Sequence, residues 1–209
     1  MSILEKMKKE KKKLKILAAG DFHSDSKTAR KLAIRAKKEK VDIVILLGDI
    51  VGTIYSKDLI MPFIKRKQKV LFVPGNWESS ETVRNFKEKY GIKNIEDHYL
   101  KYKNVGIFGI GNSDWNLYPD DNKVFRKLSE DFERIKSLEK KILVSHMHAA
   151  GTKSELSGFA GSKGLRKAID KFKPDLFIAG HIHELEGASE MIGKTKVVNV
   201  GRNGKILYI

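Results

Sequence analysis

Five short apolar runs, each closing on a side chain able to hold a metal, constrain this sequence more than any other feature. They are ILAAG before Asp21, ILLG before Asp49, LFVPG before Asn76, ILVS before His146 and LFIAG before His181. Short runs of this kind, rich in Ile, Leu and Val, read as strands buried on both faces. Glycine (Gly20, Gly48, Gly75, Gly180) directly precedes all but one of the candidate ligands, and its missing Cβ permits a sharp exit from the strand. Such a site forms at the carboxyl edge of a sheet. Two positions carry a second histidine, in Asp21-Phe22-His23 and His181-Ile182-His183. In extended backbone, residues i and i+2 project to one side, so both pairs can converge on one cluster. An Asp after a strand is commonly only a helix N-cap. Yet four of the 6 His (His23, His146, His181, His183) occupy these strand ends, and the chain has no Cys. The combination reads as a metal site built from nitrogen and oxygen donors.

Between the runs lie stretches with helical periodicity, at Lys27 to Lys40, Ser56 to Lys67, Ser79 to Tyr90, Lys123 to Lys140 and Ser162 to Phe172. Further strands are expected at His98 to Tyr102, Val105 to Ile110, Lys196 to Val200 and Lys205 to Ile209, the last two as a hairpin around Arg202-Asn203-Gly204. Alternating strands and helices with antiparallel additions predict a layered α/β fold with mixed sheets. At 209 residues the chain suits one domain, expected over 14–209. Residues 1–13, MSILEKMKKEKKK, form a dense basic run that reads as a solvated, disordered tail rather than a phosphate-binding arm.

The formal net charge of +16 makes polyanions plausible partners, nucleic acid among them. The excess is mostly Lys scattered along the chain, unlike the clustered Arg, Asn and Gln of base readers. The longest apolar runs fall far short of the roughly 18 residues that span a bilayer. No apolar stretch of a secretory signal follows the charged start. A cytoplasmic protein without a membrane partner is therefore expected, of unknown oligomeric state.

The ordered series Asp21-x-His23, Gly48-Asp49, Gly75-Asn76-Trp77-Glu78, Ser145-His146 and Gly180-His181-Ile182-His183 resembles the calcineurin-like metallophosphoesterase superfamily, whose pattern is DxH, GDxxD, GNH[DE], H, GHxH. The resemblance runs from about Lys15 to the C-terminus. It implies a four-layer α/β/β/α sandwich with two mixed sheets, and a centre of two divalent metal ions (Mn, Fe, Zn or Ni, with Mn favoured). By matching position, Asp21, His23, Asp49 and His183 would hold one ion. Asp49 would bridge to a second ion held also by Asn76, His146 and His181. Physical chemistry agrees with that division: two cations about 3.5–4 Å apart need a shared carboxylate, and water bridging them becomes a nucleophile near neutral pH.

Two departures stand out. The Gly48-Asp49-Ile50-Val51-Gly52 segment lacks the family's second Asp, which is not a metal ligand. More consequentially, Trp77 stands where the family has a histidine that assists the leaving group, oriented by the following acid, here Glu78. An indole N–H donates a hydrogen bond but delivers no proton. Trp77 would instead pack over the site mouth or stack on a substrate base. His148, two residues after His146, is the candidate replacement acid, with an ordinary buried or surface histidine as the alternative, and His98 is a weaker candidate. Arg202 either clamps phosphate oxygens or is an exposed turn residue. The expected activity is hydrolysis of a phosphoester, a nucleotide-like or activated diester in preference to a monoester. The alternatives are a scaffold on the same fold with weak or no turnover, and a nuclease recruited by charge.

Overall fold

The apolar runs become parallel strands covered on both faces. Strands β1 (Lys15–Ala19), β2 (Ile43–Leu47) and β3 (Val70–Val73) pair in order, with Leu17 opposite Val44 and Ile45 opposite Leu71. In this computed structural model, which describes residues 13–53, 59–96, 98–114, 116–117 and 120–209, β4 (Lys93–Asn94) adds a parallel edge beside β3. At the other edge β11 (Lys205–Tyr208) runs antiparallel to β1. The second sheet contains β5 (Leu100–Tyr102), β6 (Val105–Ile110), β7 (Lys140–Ser145), β8 (Leu176–Ala179), β9 (Ser189–Ile192) and β10 (Thr195–Asn199). Its order is β5-β6-β7-β8-β10-β9, with β6, β7, β8 and β10 parallel and the two outer strands antiparallel. Both sheets are thus mixed.

Alternation along the strands sets the layers. Ile16, Ile43, Ile45 and Leu71 point from the first sheet into a core shared with Ile107, Ile142, Val144 and Ile178 of the second. Their neighbours Leu17, Val44, Leu46 and Phe72 face the other way, onto the helices α1 (Ser26–Lys38), α2 (Met61–Ile64) and α3 (Ser80–Tyr90). On the far side, Phe108, Leu143 and Phe177 meet α4 (Asp121–Ile135) and α5 (Lys163–Phe172). The architecture is therefore helices, sheet, sheet, helices. Side chains such as Phe72 and Phe177 are fully buried, and truncating one to Ala costs about 3–5 kcal/mol. No helix among the described residues is long and apolar enough to cross a membrane.

Three expectations need correction. The stretch around Arg202-Asn203-Gly204 is not a hairpin between paired strands: β10 lies in the second sheet and β11 in the first, against β1. A turn at Asn-Gly reverses the chain, as the Gly204 N–H to Gly201 carbonyl bond shows, but it does not choose the partner strand. Strand β10 instead forms its hairpin with β9, through Gly193. The helix expected over Lys123 to Lys140 stops at Ile135, leaving Lys140 to begin β7. Of the helix expected over Ser56 to Lys67, the described part is Met61–Ile64, and residues 54–58 lie outside the described residues. Residues 1–12 of the expected tail also lie outside them.

Candidate metal centre

The strand ends supply side chains to one place because their exit loops are stitched together. Asp21 N–H donates to the Gly48 carbonyl over 3.0 Å and His23 N–H to the Asp49 carbonyl over 2.9 Å, joining the loops after β1 and β2. Gly180 N–H reaches the His146 carbonyl over 2.9 Å, joining those after β7 and β8. Asp21, His23, Asp49 and His181 all adopt left-handed backbone, at φ 58, 44, 49 and 72. Non-glycine residues are costly there, and such strain gathers at functional sites. The extended geometry expected for Asp21-Phe22-His23 is thus replaced by a tight turn, yet the two side chains still converge. Gly75 is required for closeness: a Cβ there would collide with the Asp49 carboxylate and the His146 ring.

Two groups result. The ligand atoms of Asp21, His23 and His183 all lie within 4.8 Å of one another, as do those of Asp49, His146 and His181. In the first group the Nε2 atoms of His23 and His183 approach to 3.3 Å, and Oδ1 of Asp21 lies 3.5 Å from His183. Asp21 is 4% exposed, and neither of its carboxylate oxygens has a hydrogen-bond partner. In the second group Nδ1–H of His146 donates to the Leu47 carbonyl over 2.6 Å. That bond leaves the Nε2 lone pair aimed at Nδ1 of His181 and Oδ1 of Asn76, each 3.2 Å away. Buried carboxylate oxygens without donors, and electron-pair donors facing one another, are costly unless a cation joins them. These residues fit divalent metal bound by nitrogen and oxygen.

Charge within the centre follows from burial and proximity. Burial depresses the basicity of His146, but the charge and hydrogen bond of Asp49 outweigh it and raise its pKa to about 9. Burial, then the neighbouring His146, push His181 down to about 4. Protons and a divalent ion compete for these same lone pairs.

Glu78 has a different task from the one expected. It is fully buried, and its carboxylate accepts backbone N–H groups from Asp49 (2.9 Å), Ile50 (2.7 Å), Val51 (3.1 Å) and Gly75 (2.7 Å). Burial and the Asp49 charge raise its pKa, while the Val51 and Gly75 N–H groups oppose that rise. It braces the loops that carry Asp49 and Asn76 rather than orienting the side chain of residue 77.

His148 likewise sits behind the centre. It is 1% exposed, and Nε2–H donates to the Phe159 carbonyl over 3.1 Å, so that ring nitrogen has no proton to spare for a substrate. Burial lowers its pKa, and its ring stacks against His181 at 6.3 Å. The candidate acid is thus a packing support for His181. His98 is exposed and lines a separate cleft with Lys93 and Tyr99.

Trp77 and Arg202 do border the site. The Trp77 ring stands edge-on to His23 at 5.4 Å, and its backbone N–H donates to Oδ1 of Asp49. Arg202 is exposed, pairs with Asp25 at 2.7 Å, and shares a cleft of about 360 Å3 with Asp21, His23 and His183. Sequence reasoning missed a second cleft of about 300 Å3, walled by Leu117, Met147, Phe159 and Ile182 beside His181. A lone Phe in the Gly-flanked segment Gly158-Phe159-Ala160-Gly161 was its one visible signal.

Residues 14–185 match the model of the calcineurin-like phosphoesterase family. The chain belongs to that family. Membership and the two residue groups together support a phosphoester hydrolase that binds divalent metal. Among solved structures, this phosphoesterase is similar to TT1561 of Thermus thermophilus, with a TM-score of 0.73 at 18% identity, covering 94% of this chain and 99% of that one. It is also similar to an archaeal phosphodiesterase, with a TM-score of 0.54 at 16% identity, covering 93% and 99%. At such identities the likeness is one of fold. A curated relative, sulfite reductase [NADPH] subunit beta of Saccharomyces cerevisiae, is 28% identical over 135 residues. Those residues are 63% of this chain but 9% of that protein, too small a share of it to bear on function.

Proposed function

We propose that this phosphoesterase hydrolyses a phosphodiester at a centre of two divalent ions, with Mn favoured. The observation that carries the proposal is the position of Oδ2 of Asp49. It lies 3.4 Å from Nε2 of His146 in one residue group and 3.9 Å from Nε2 of His23 in the other. One carboxylate oxygen between two ligand groups is the arrangement a bridge requires. Asp21, His23 and His183 would hold one ion, and Asn76, His146 and His181 the other, with Asp49 shared. Asn76 adds a neutral oxygen, which keeps the centre cationic enough for a phosphodiester anion.

Divalent ions bound there would act as Lewis acids on the phosphoryl group and lower the pKa of water. The protein's own part is to hold seven donors in place, through the Glu78 brace and the His146 bond to Leu47. Arg202 borders the Asp21, His23 and His183 cleft, where a guanidinium keeps further N–H donors for phosphoryl oxygens after Asp25 has taken one. Preference for a diester is supported by the two clefts that meet at His183. A diester has two organic arms to place and a monoester has one. The archaeal phosphodiesterase of the same fold is consistent with this reading. Basic residues 1–13 are proposed as an appendage to the catalytic domain at 14–209.

The test is turnover of bis-nitrophenyl phosphate and of nitrophenyl phosphate by Mn-loaded protein. The proposal expects the diester to be the better substrate by kcat/KM. Faster monoester turnover would contradict the diester preference, and no turnover of either with metal bound would favour a scaffold.

A further inference from the structure

The cleft beside His181 differs in character from the rest of this strongly basic molecule. Leu117, Met147, Phe159, Ala160 and Ile182 wall it, and among the described residues lining it there is no Lys or Arg. Its polar edge is formed by His181 and His183, one from each ligand group, and by Glu184. It therefore opens onto the centre itself.

Its aromatic wall is exposed yet held in place. Phe159 is 54% exposed and Leu117 43%, an unfavourable arrangement for large apolar side chains unless something covers them. The loop carrying Phe159 is closed by Glu155, whose carboxylate accepts Gly151 N–H over 2.8 Å and Gly161 N–H over 2.9 Å. The Phe159 carbonyl accepts the His148 ring N–H. The Phe159 ring stands edge-on to His181 at 6.2 Å. An apolar surface fixed at this distance from the ligand groups is preorganised to receive a group attached to the phosphorus.

We infer that this cleft binds one organic arm of the substrate, and that the arm is an uncharged alkyl or aryl group. The inference rests on the phosphoesterase reading above, which places phosphorus at the centre. Apolar walls favour burial of hydrocarbon, while the Glu184 carboxylate repels a further phosphate. A polynucleotide or pyrophosphate arm would bring negative charge to a cleft whose described lining residues include no Lys or Arg to meet it. The +16 charge of the chain is therefore not a guide to what enters this subsite.

The experiment is calorimetric binding of inorganic phosphate, methylphosphonate, hexylphosphonate and phenylphosphonate to the Mn-loaded protein. Hexyl- and phenylphosphonate are expected to bind at least about 10-fold tighter than methylphosphonate, from the hydrocarbon they bury. In Phe159→Ala, which truncates a half-exposed side chain, that ratio should shrink several-fold. Ala160→Trp, which fills the cleft, should abolish the advantage while methylphosphonate still binds. Equal affinity for the three phosphonates in the wild type, or an undiminished ratio in both variants, would overturn the subsite and leave the phosphoesterase reading intact. Failure of every probe to bind, phosphate included, would instead overturn that reading and the subsite with it.

Discussion

The backbone N–H of Trp77 donates to Oδ1 of Asp49 over 3.0 Å. Trp77 thus secures the Asp49 carboxylate through its main chain, a contact independent of its side chain. Its indole contributes a wall beside His23.

Trp77→His should therefore keep the metal while adding an imidazole able to carry a proton. Turnover of alkyl diesters, whose leaving groups need protonation, is expected to rise by up to about 100-fold, whereas nitrophenyl esters change little. Comparing kcat for the two leaving-group classes checks this. Equal losses for both, with metal content intact, would mean that the indole serves substrate recognition instead.

Glu78→Ala removes one carboxylate from four backbone N–H groups in a fully buried position. Leaving such donors unpaired should lower unfolding free energy by about 3–5 kcal/mol, read from urea denaturation. A loss below about 1 kcal/mol would show that water can replace the brace.

Much of this was legible in the sequence, for a physical reason. The strands β1, β2, β3 and β8, and the Ile142–Val144 centre of β7, are almost wholly apolar because both faces are covered, so Ile43–Leu47 could hardly be anything else. Glycines at their exits marked the candidate ligands Asp49, Asn76 and His181 as close-packed. What escaped depends on partners distant in sequence. Strand β9, Ser189–Ile192, alternates half-buried with exposed residues at an edge and has no apolar run to announce it. Strand β11 pairs with β1 across nearly the whole chain, and nothing local distinguishes that from a hairpin with β10. Glu78 and His148 looked catalytic by position, but the atoms that occupy them are main-chain groups, which a sequence does not display.

Chelation should destabilise the protein, because Asp21 then keeps a buried carboxylate with no hydrogen-bond donor and only His183, at 3.5 Å, to offset its charge. A ligand at about a thousand times its Kd adds about 4 kcal/mol, so EDTA is expected to lower Tm on the order of 10 °C. Added Mn should restore it. An unchanged Tm would mean that the folded state binds no metal tightly.

Removing residues 1–13 deletes six Lys and two Glu, taking the net charge from +16 to +12. Leu14, buried at 3% and hydrogen-bonded to Ile209, remains. Folding by circular dichroism and turnover of a small diester are expected to survive. A large loss of turnover would place the segment in the site.

The central claim is that Asp49 joins two metal sites. Its most direct test is metal content per chain, by plasma mass spectrometry, for the wild type and Asp49→Ala loaded with Mn and freed of excess. The bridge requires two ions in the wild type, at most one in the variant, and a parallel loss of diester turnover. Two ions per chain and undiminished turnover in Asp49→Ala would contradict it.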